Sequence, residues 1–171
     1  MLLVYRYSFF CKFIPMGTTE WCENVILVDA DYVDNVAFNL TVNFERMLNR
    51  PIAKADLAQW LVCAALDGGL KQGQHEVQVV LVHGKEKEAF ENFVPANFKT
   101  ELDGMAFSDA YLGEFRLSAV RVENLVSSEE LFAQSLETLA DTKEVKRMVV
   151  VPDMEKYAHK IRPILSRVDG K

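Results

Sequence analysis

Several things are missing from this chain, and each absence closes a class of explanation. No apolar run approaches the ~20 residues of a membrane-spanning helix, so no membrane partner is expected. The three cysteines, Cys11, Cys22 and Cys63, are odd in number and lack the paired spacing of a structural zinc site. Free thiols in a reducing, cytoplasmic setting are the simplest reading. No glycine-rich dinucleotide fingerprint or P-loop follows a strand, which removes the main nucleotide cradles. No repeat, low-complexity tract or linker divides the 171 residues, so a single domain with a sizeable core is expected. An excess of positive charge is missing too. The net charge is −6, which argues against broad, non-specific binding to nucleic acid but leaves room for a local basic groove. Residues 1–15 hold no acidic residue and are rich in aromatics. Arg6 and Lys12 lie inside that stretch rather than ahead of it, and no small-residue cleavage site follows, which speaks against a secretion signal, the rival reading. Met16-Gly17-Thr18 reads as the natural beginning. Residues 1–15 are therefore expected to be a non-core extension of a domain formed by 16–171.

What is present centres on residues 23–34. Val25 to Val28 form an unbroken apolar run that reads as a strand buried on both faces, and Asp29, Asp31 and Asp34 follow it. In an open α/β sheet, the carboxyl end of a strand is where ligands and metals bind. Clustered carboxylates repel one another, so a divalent cation among them is one reading. Solvated loop acids, with Asp34 capping the next helix, are the other.

The rest of the chain repeats the alternation of short apolar runs and helical stripes. Residues 36–44 fit either period: every second residue from Val36 to Phe44 is apolar, yet Val33, Val36, Ala37, Leu40, Phe44, Met47 and Leu48 form a helical stripe. Helix is the better expectation, because the strands look parallel and need crossovers. A second helix spans 53–66 and ends at Asp67-Gly68-Gly69. Strands are expected at 77–82, 115–122 and 148–151, with 91–113 a loop holding one short helix. Ser127 or Ser128 can cap a helix over 129–139, and a last helix carries His159, Ile161 and Leu165. The plan is a mainly parallel sheet of four to five strands with helices on both faces, a three-layer, Rossmann-like α/β domain.

If the strands are parallel, three acidic groups share one edge: Asp29 and Asp31, then Glu123 with Glu129 and Glu130, then Asp153 and Glu155. Hard oxygen ligands from several strand ends suit Mg²⁺ or Mn²⁺. Acids at helix N-termini also stabilise the helix dipole with no metal at all. Lys156, Lys160 and Arg167 fall near one face of the last helix and could guide a phosphate backbone. His83, at a strand end, reads as an exposed bystander.

This layout resembles the NYN group of PIN-like nucleases. Val28-Asp29-Ala30-Asp31-Tyr32 resembles the family's first motif, Val122-Glu123-Asn124-Leu125-Val126-Ser127-Ser128-Glu129 its middle motif, and Val151-Pro152-Asp153-Met154-Glu155 its last. The resemblance implies a PIN-like fold and a Mg- or Mn-dependent ribonuclease. It assigns Asp29, Asp31, Glu123 and Asp153 to catalysis and to the metal, Glu155 to the metal, and Lys160 and Arg167 to the RNA strand. The chain departs from the pattern at Tyr32, at Pro152, and at Glu123, Glu129 and Glu155, where a shorter acid is usual. That drift supports an alternative, a catalytically degenerate NYN-like module that binds RNA or a protein partner. Asp29-Ala30-Asp31-Tyr32-Val33 also resembles the first motif of haloacid dehalogenase-like phosphatases. There, however, the second strand should end in Ser or Thr, and here it ends at His83-Gly84.

Overall fold

The computed structural model describes residues 4–6 and 20–168. Their elements are β1 (Val4–Arg6), β2 (Asn24–Asp29), α1 (Ala30–Leu48), β3 (Ala55–Asp56), α2 (Leu57–Asp67), β4 (His75–His83), β5 (Phe93–Val94), one π-helical turn (Phe98–Leu102), β6 (Met105–Asp109), β7 (Gly113–Arg121), α3 (Ser128–Asp141), β8 (Arg147–Val151) and α4 (Met154–Leu165). Six strands make the main sheet in the order β1-β6-β7-β4-β2-β8, and β3 pairs with β5 apart from it. The four strands anticipated from apolar runs are mutually parallel: β2 lies between β4 and β8, and β4 lies between β2 and β7. The chain is thus an α/β protein with a mainly parallel sheet.

The runs lack alternation because both faces are covered. Ile26, Val28, Val77, Val79 and Leu81 face Val33 of α1 and Leu57, Leu61 and Ala65 of α2. Their neighbours Val25, Leu27, Val80 and Val82 face Phe132, Leu136 and Leu139 of α3 and Tyr157, Ile161 and Ile164 of α4. Neighbouring residues along a strand point to opposite faces, so a strand between two helical layers must be apolar throughout.

Two local expectations are corrected. Helix α1 starts at Ala30, with Asp29 as its N-cap, so Asp31 and Asp34 are helical rather than loop acids. The helix ends at Asn49, which adopts the left-handed conformation. The 91–113 segment has its one short helix, the π-helical turn, but it also holds two strands that were not anticipated, β5 and β6, and β6 runs antiparallel to β7. The β6–β7 turn is built by the Asp109 carboxylate, which accepts from the backbone N–H of Tyr111 and Leu112 at 2.9 Å each. Gly113 closes it with φ +97°, and a Cβ there would lie 2.3 Å from the His75 carbonyl oxygen. Gly113→Ala is therefore expected to destabilise the fold by about 2 kcal/mol or more, since neither the conformation nor the space suits a side chain. Denaturant unfolding monitored by far-UV circular dichroism checks this.

Val4–Arg6 pair antiparallel with β6 and form the sheet's edge. The rest of 1–15 lies outside the described residues, as does the proposed start at Met16. No helix among the described residues is long and apolar enough to cross a membrane.

Candidate carboxyl-edge site

Parallel strands place the ends of β2, β4, β7 and β8 along one edge, and the side chains gathered there define the site. Asp29 ends β2 and is buried. It caps α1 by accepting the Tyr32 N–H at 3.0 Å, and it also accepts from the Tyr157 hydroxyl. Burial pushes its carboxyl above the usual carboxylate range; those two hydrogen bonds pull it down, and the charges of Asp31 and Asp153 push it up further. The Tyr157 hydroxyl is driven well above its ordinary value by burial and by Asp29, Asp153 and Asp31.

Asp31, on the first turn of α1, accepts the Gly84 N–H with Oδ2 at 2.8 Å, while its buried Oδ1 has no hydrogen-bond partner. Asp34 lies one turn on and is the most completely satisfied acid of the site. Its carboxylate accepts from the backbone N–H of Glu91 and Asn92, from the Asn92 amide and from Lys87 Nζ at 3.3 Å. Burial pushes Asp34 up, but these bonds outweigh it and hold the carboxyl below its ordinary value. Asp34 thereby fastens residues 87–92 to α1. The sequence offers it as a cap or as one of three clustered acids, not as this anchor.

Asp153 caps α4 through the Lys156 N–H at 3.3 Å and pairs with Lys156 Nζ at 3.0 Å. So Asp29, Asp31 and Asp153 do come within electrostatic reach of one another. Glu123 does not join them: it is exposed beyond the end of β7. Glu155 is exposed on α4. Glu129 pairs with His159 at 2.8 Å and Lys160 at 3.7 Å. Lys160 also reaches Glu130, and Arg167 pairs with Glu137 at 2.7 Å. The two cations expected to guide a strand thus tie α4 to α3.

These positions test the fit of Mg or Mn. No group of three or more His, Cys, Asp or Glu among the described residues is arranged to hold a metal ion. Asp29 and Asp153 are spent on helix caps, and one oxygen of Asp31 on Gly84.

Beside them lies a cavity of about 410 Å³ whose lining includes His83, Lys87, Phe98, Lys99, Asp103 and Arg121. His83 is buried, not exposed as its place at a strand end suggests. Its ring stacks on Phe98 with centroids 4.0 Å apart and planes 5° from parallel, so the two rings line the cavity while covering each other's faces. Arg121 ends β7, and its Nε donates to the Lys85 carbonyl at 2.9 Å, which holds the guanidinium in place. Lys99, on the π-helical turn, has no ion-pair partner among the described residues. Asp103 is occupied by the Ala119 N–H at 2.9 Å. Residues 83–87 separate this cavity from the acids: Gly84 bonds Asp31, and Lys87 bonds Asp34 while lining the cavity. The sequence signal for the cations was weak, a lone Arg at the end of an apolar strand and a Lys in an irregular segment.

Replacing Asp29 by Asn keeps the cap and removes the charge that burial disfavours. A carboxyl raised in the folded state contributes stability at low pH and loses it as pH rises through the folded-state pKa. Asp29→Asn is therefore expected to melt above the wild type at pH 7, with the gap closing as pH falls towards 4. Thermal scans across that range check it.

No curated protein and no solved structure matches the chain. The model of a family of unknown function matches residues 18–171.

Proposed function

The chain belongs to that family, DUF6621, and since the family carries no activity with it, we propose from the geometry that this is an NYN/PIN-like module that binds a nucleotide-type anion and does not cleave it. Single-stranded RNA presents such groups. The observation that carries the reading is the convergence of the Lys99 and Arg121 cations on one cavity that His83 and Phe98 also line. A phosphate takes charge-assisted hydrogen bonds from Lys and Arg. The acidic net charge keeps such binding local, confined to the cavity and not spread over the surface.

The acids then have structural work. Asp29 and Asp153 cap the helices that follow their strands, and Asp34 secures the segment leading to the cavity. A short labelled single-stranded RNA run on a native gel with Mn²⁺ present tests the proposal. An intact, retarded band is expected; cleaved product, or no retardation at any protein concentration, contradicts it.

A Mg- or Mn-dependent ribonuclease is the second reading, and one observation favours it. The buried Asp31 Oδ1 lacks a partner, next to an Asp29 whose carboxyl is pushed up in part by Asp31 and Asp153. Titrating Mn²⁺ against the melting temperature separates the two readings, because a ligand of the native state raises apparent stability by mass action. The binding module predicts no shift; a saturable rise abolished by Asp29→Asn supports the nuclease.

A further inference from the structure

The second half of α1 differs from the other exposed surfaces of the chain. From Asn35 to Phe44 it carries no charged residue, in a chain whose residues are 26% charged. The buried residues of α1 are Ala30, Val33 and Asp34, all in its first two turns. Val36, Phe38, Leu40, Phe44, Met47 and Leu48 are exposed, Met47 at 78%. At 100° per residue, Val36, Leu40, Phe44, Met47 and Leu48 fall within about one third of the helix circumference. The returning chain is tied down elsewhere, by Glu45, whose carboxylate accepts the Ile52 N–H at 2.9 Å. Among the described residues nothing covers the stripe. A solvated helix face would carry Glu, Lys or Gln at these positions, which favour the helix as well and cost nothing in water.

We propose that the stripe is the interface of a homodimer, in which α1 packs against α1 of a second copy across a twofold axis near Leu40 and Phe44. Area, charge and symmetry each select a second copy as the occupant. The exposed side chains amount to on the order of 600 Å² of apolar surface, at the upper limit for a monomer's largest patch and most of the roughly 800 Å² per partner of a standard interface. Two copies of a chain of net charge −6 meet at least cost through a surface that brings no like charges into contact, and this stretch carries none. The residues flanking the stripe, Asn39, Thr41 and Asn43, are neutral donors and acceptors that can pair with their own counterparts. Val36, Leu40 and Phe44 are spaced i, i+4, i+8, the ridge that interdigitates with an identical ridge on another helix. An interface between identical patches closes on itself as a twofold dimer. A bilayer is a poorer match, because helices that lie on membranes carry Lys and Arg along their polar face, and Arg46 is the one cation between Asn35 and Leu48. The inference stands apart from the carboxyl-edge cavity, although the same helix carries Asp31 and Asp34 at its other end.

Sedimentation equilibrium on the full chain tests the proposal. A dimer is expected at micromolar concentrations. Leu40→Glu combined with Phe44→Glu should weaken association by about 100-fold or more while leaving the far-UV spectrum unchanged, because both side chains are half-exposed in the monomer. Leu40→Cys supplies a second readout that does not depend on the double variant folding. Near a twofold axis the introduced thiol meets its own counterpart, so mild oxidation should cross-link it where the wild type, with its native cysteines, stays uncross-linked. A wild type that sediments as a monomer throughout overturns the proposal. So does a dimer that survives the double substitution, or a Leu40→Cys chain that does not cross-link. A monomer that floats with anionic vesicles assigns the stripe to a lipid surface and overturns it as well.

Discussion

Asp34→Ala is expected to cost about 3–4 kcal/mol of folding stability, which for a chain of this size lowers the melting temperature by roughly 6–16 °C. Asp34 is only 2% exposed. Its removal takes the acceptor away from the part-buried Glu91 and Asn92 N–H groups and the Asn92 amide, and leaves Lys87 without its partner. Three donors and an ion pair lost together add up even where each donor keeps some access to water. Asn cannot rescue the site fully, since its NH₂ would meet donors where the carboxylate presents acceptors. The pH dependence has a definite sign. The folded-state pKa of Asp34 is depressed, so its contribution is present above the unfolded value near 4 and is lost as pH falls through the folded value. Wild type and Asp34→Ala should therefore converge in stability under acid, and the gap between them should be widest near neutrality. Because Asp34 anchors residues 87–92, the loss should also loosen the Lys87 side of the cavity. Amide hydrogen exchange at Glu91 and Asn92 reads that directly.

Replacing both Lys99 and Arg121 by Ala is expected to weaken binding of a nucleotide-type anion by about 100-fold, each charge-assisted bond contributing on the order of 1.5 kcal/mol. Lys99 is exposed, and Arg121 bonds outward to the Lys85 carbonyl, so the double variant should keep most of its stability. Phe98→Ala is the informative contrast. Phe98 is buried against His83 and Phe90, so its removal lowers stability along with affinity. The two cations should alter affinity and its salt dependence alone. Anisotropy titrations at two ionic strengths, read beside the melting temperature of each variant, make the separation.

The parallel sheet was legible because burial on both faces leaves a plain mark. Val25–Val28 and Val79–Val82 admit no polar residue, and only a strand between two helical layers is so constrained. Helix α1 was legible on the argument that parallel strands need crossovers, although its stripe looked like one made for the core. In the structure the second half of that stripe is exposed, and periodicity does not distinguish the two cases. Strand β6 was hidden in an irregular, glycine-bearing segment. Its signal was the turn chemistry of Asp109 and Gly113, not its own composition.

The carboxyl edge shows a different limit. An acid directly after an apolar strand has the same local signature whether it caps the next helix or waits for a cation, and Asp29 and Asp153 are caps. Lys160 and Arg167 have the spacing of a phosphate-facing row, but their partners are Glu129, Glu130 and Glu137, on a helix whose position a single sequence does not reveal. The cavity is the converse case. His83, Phe98, Lys99 and Arg121 come from three separate segments, and only the β4–β7 pairing and the π-helical turn bring them together.

Isothermal titration of the wild-type chain with a short single-stranded RNA, in chelator and at low salt, is the most direct measurement of the central claim. One site per chain, with an affinity that persists in chelator and falls with added salt, is the result predicted. Heat of binding that appears only when Mn²⁺ is supplied, or no binding in either buffer, contradicts it.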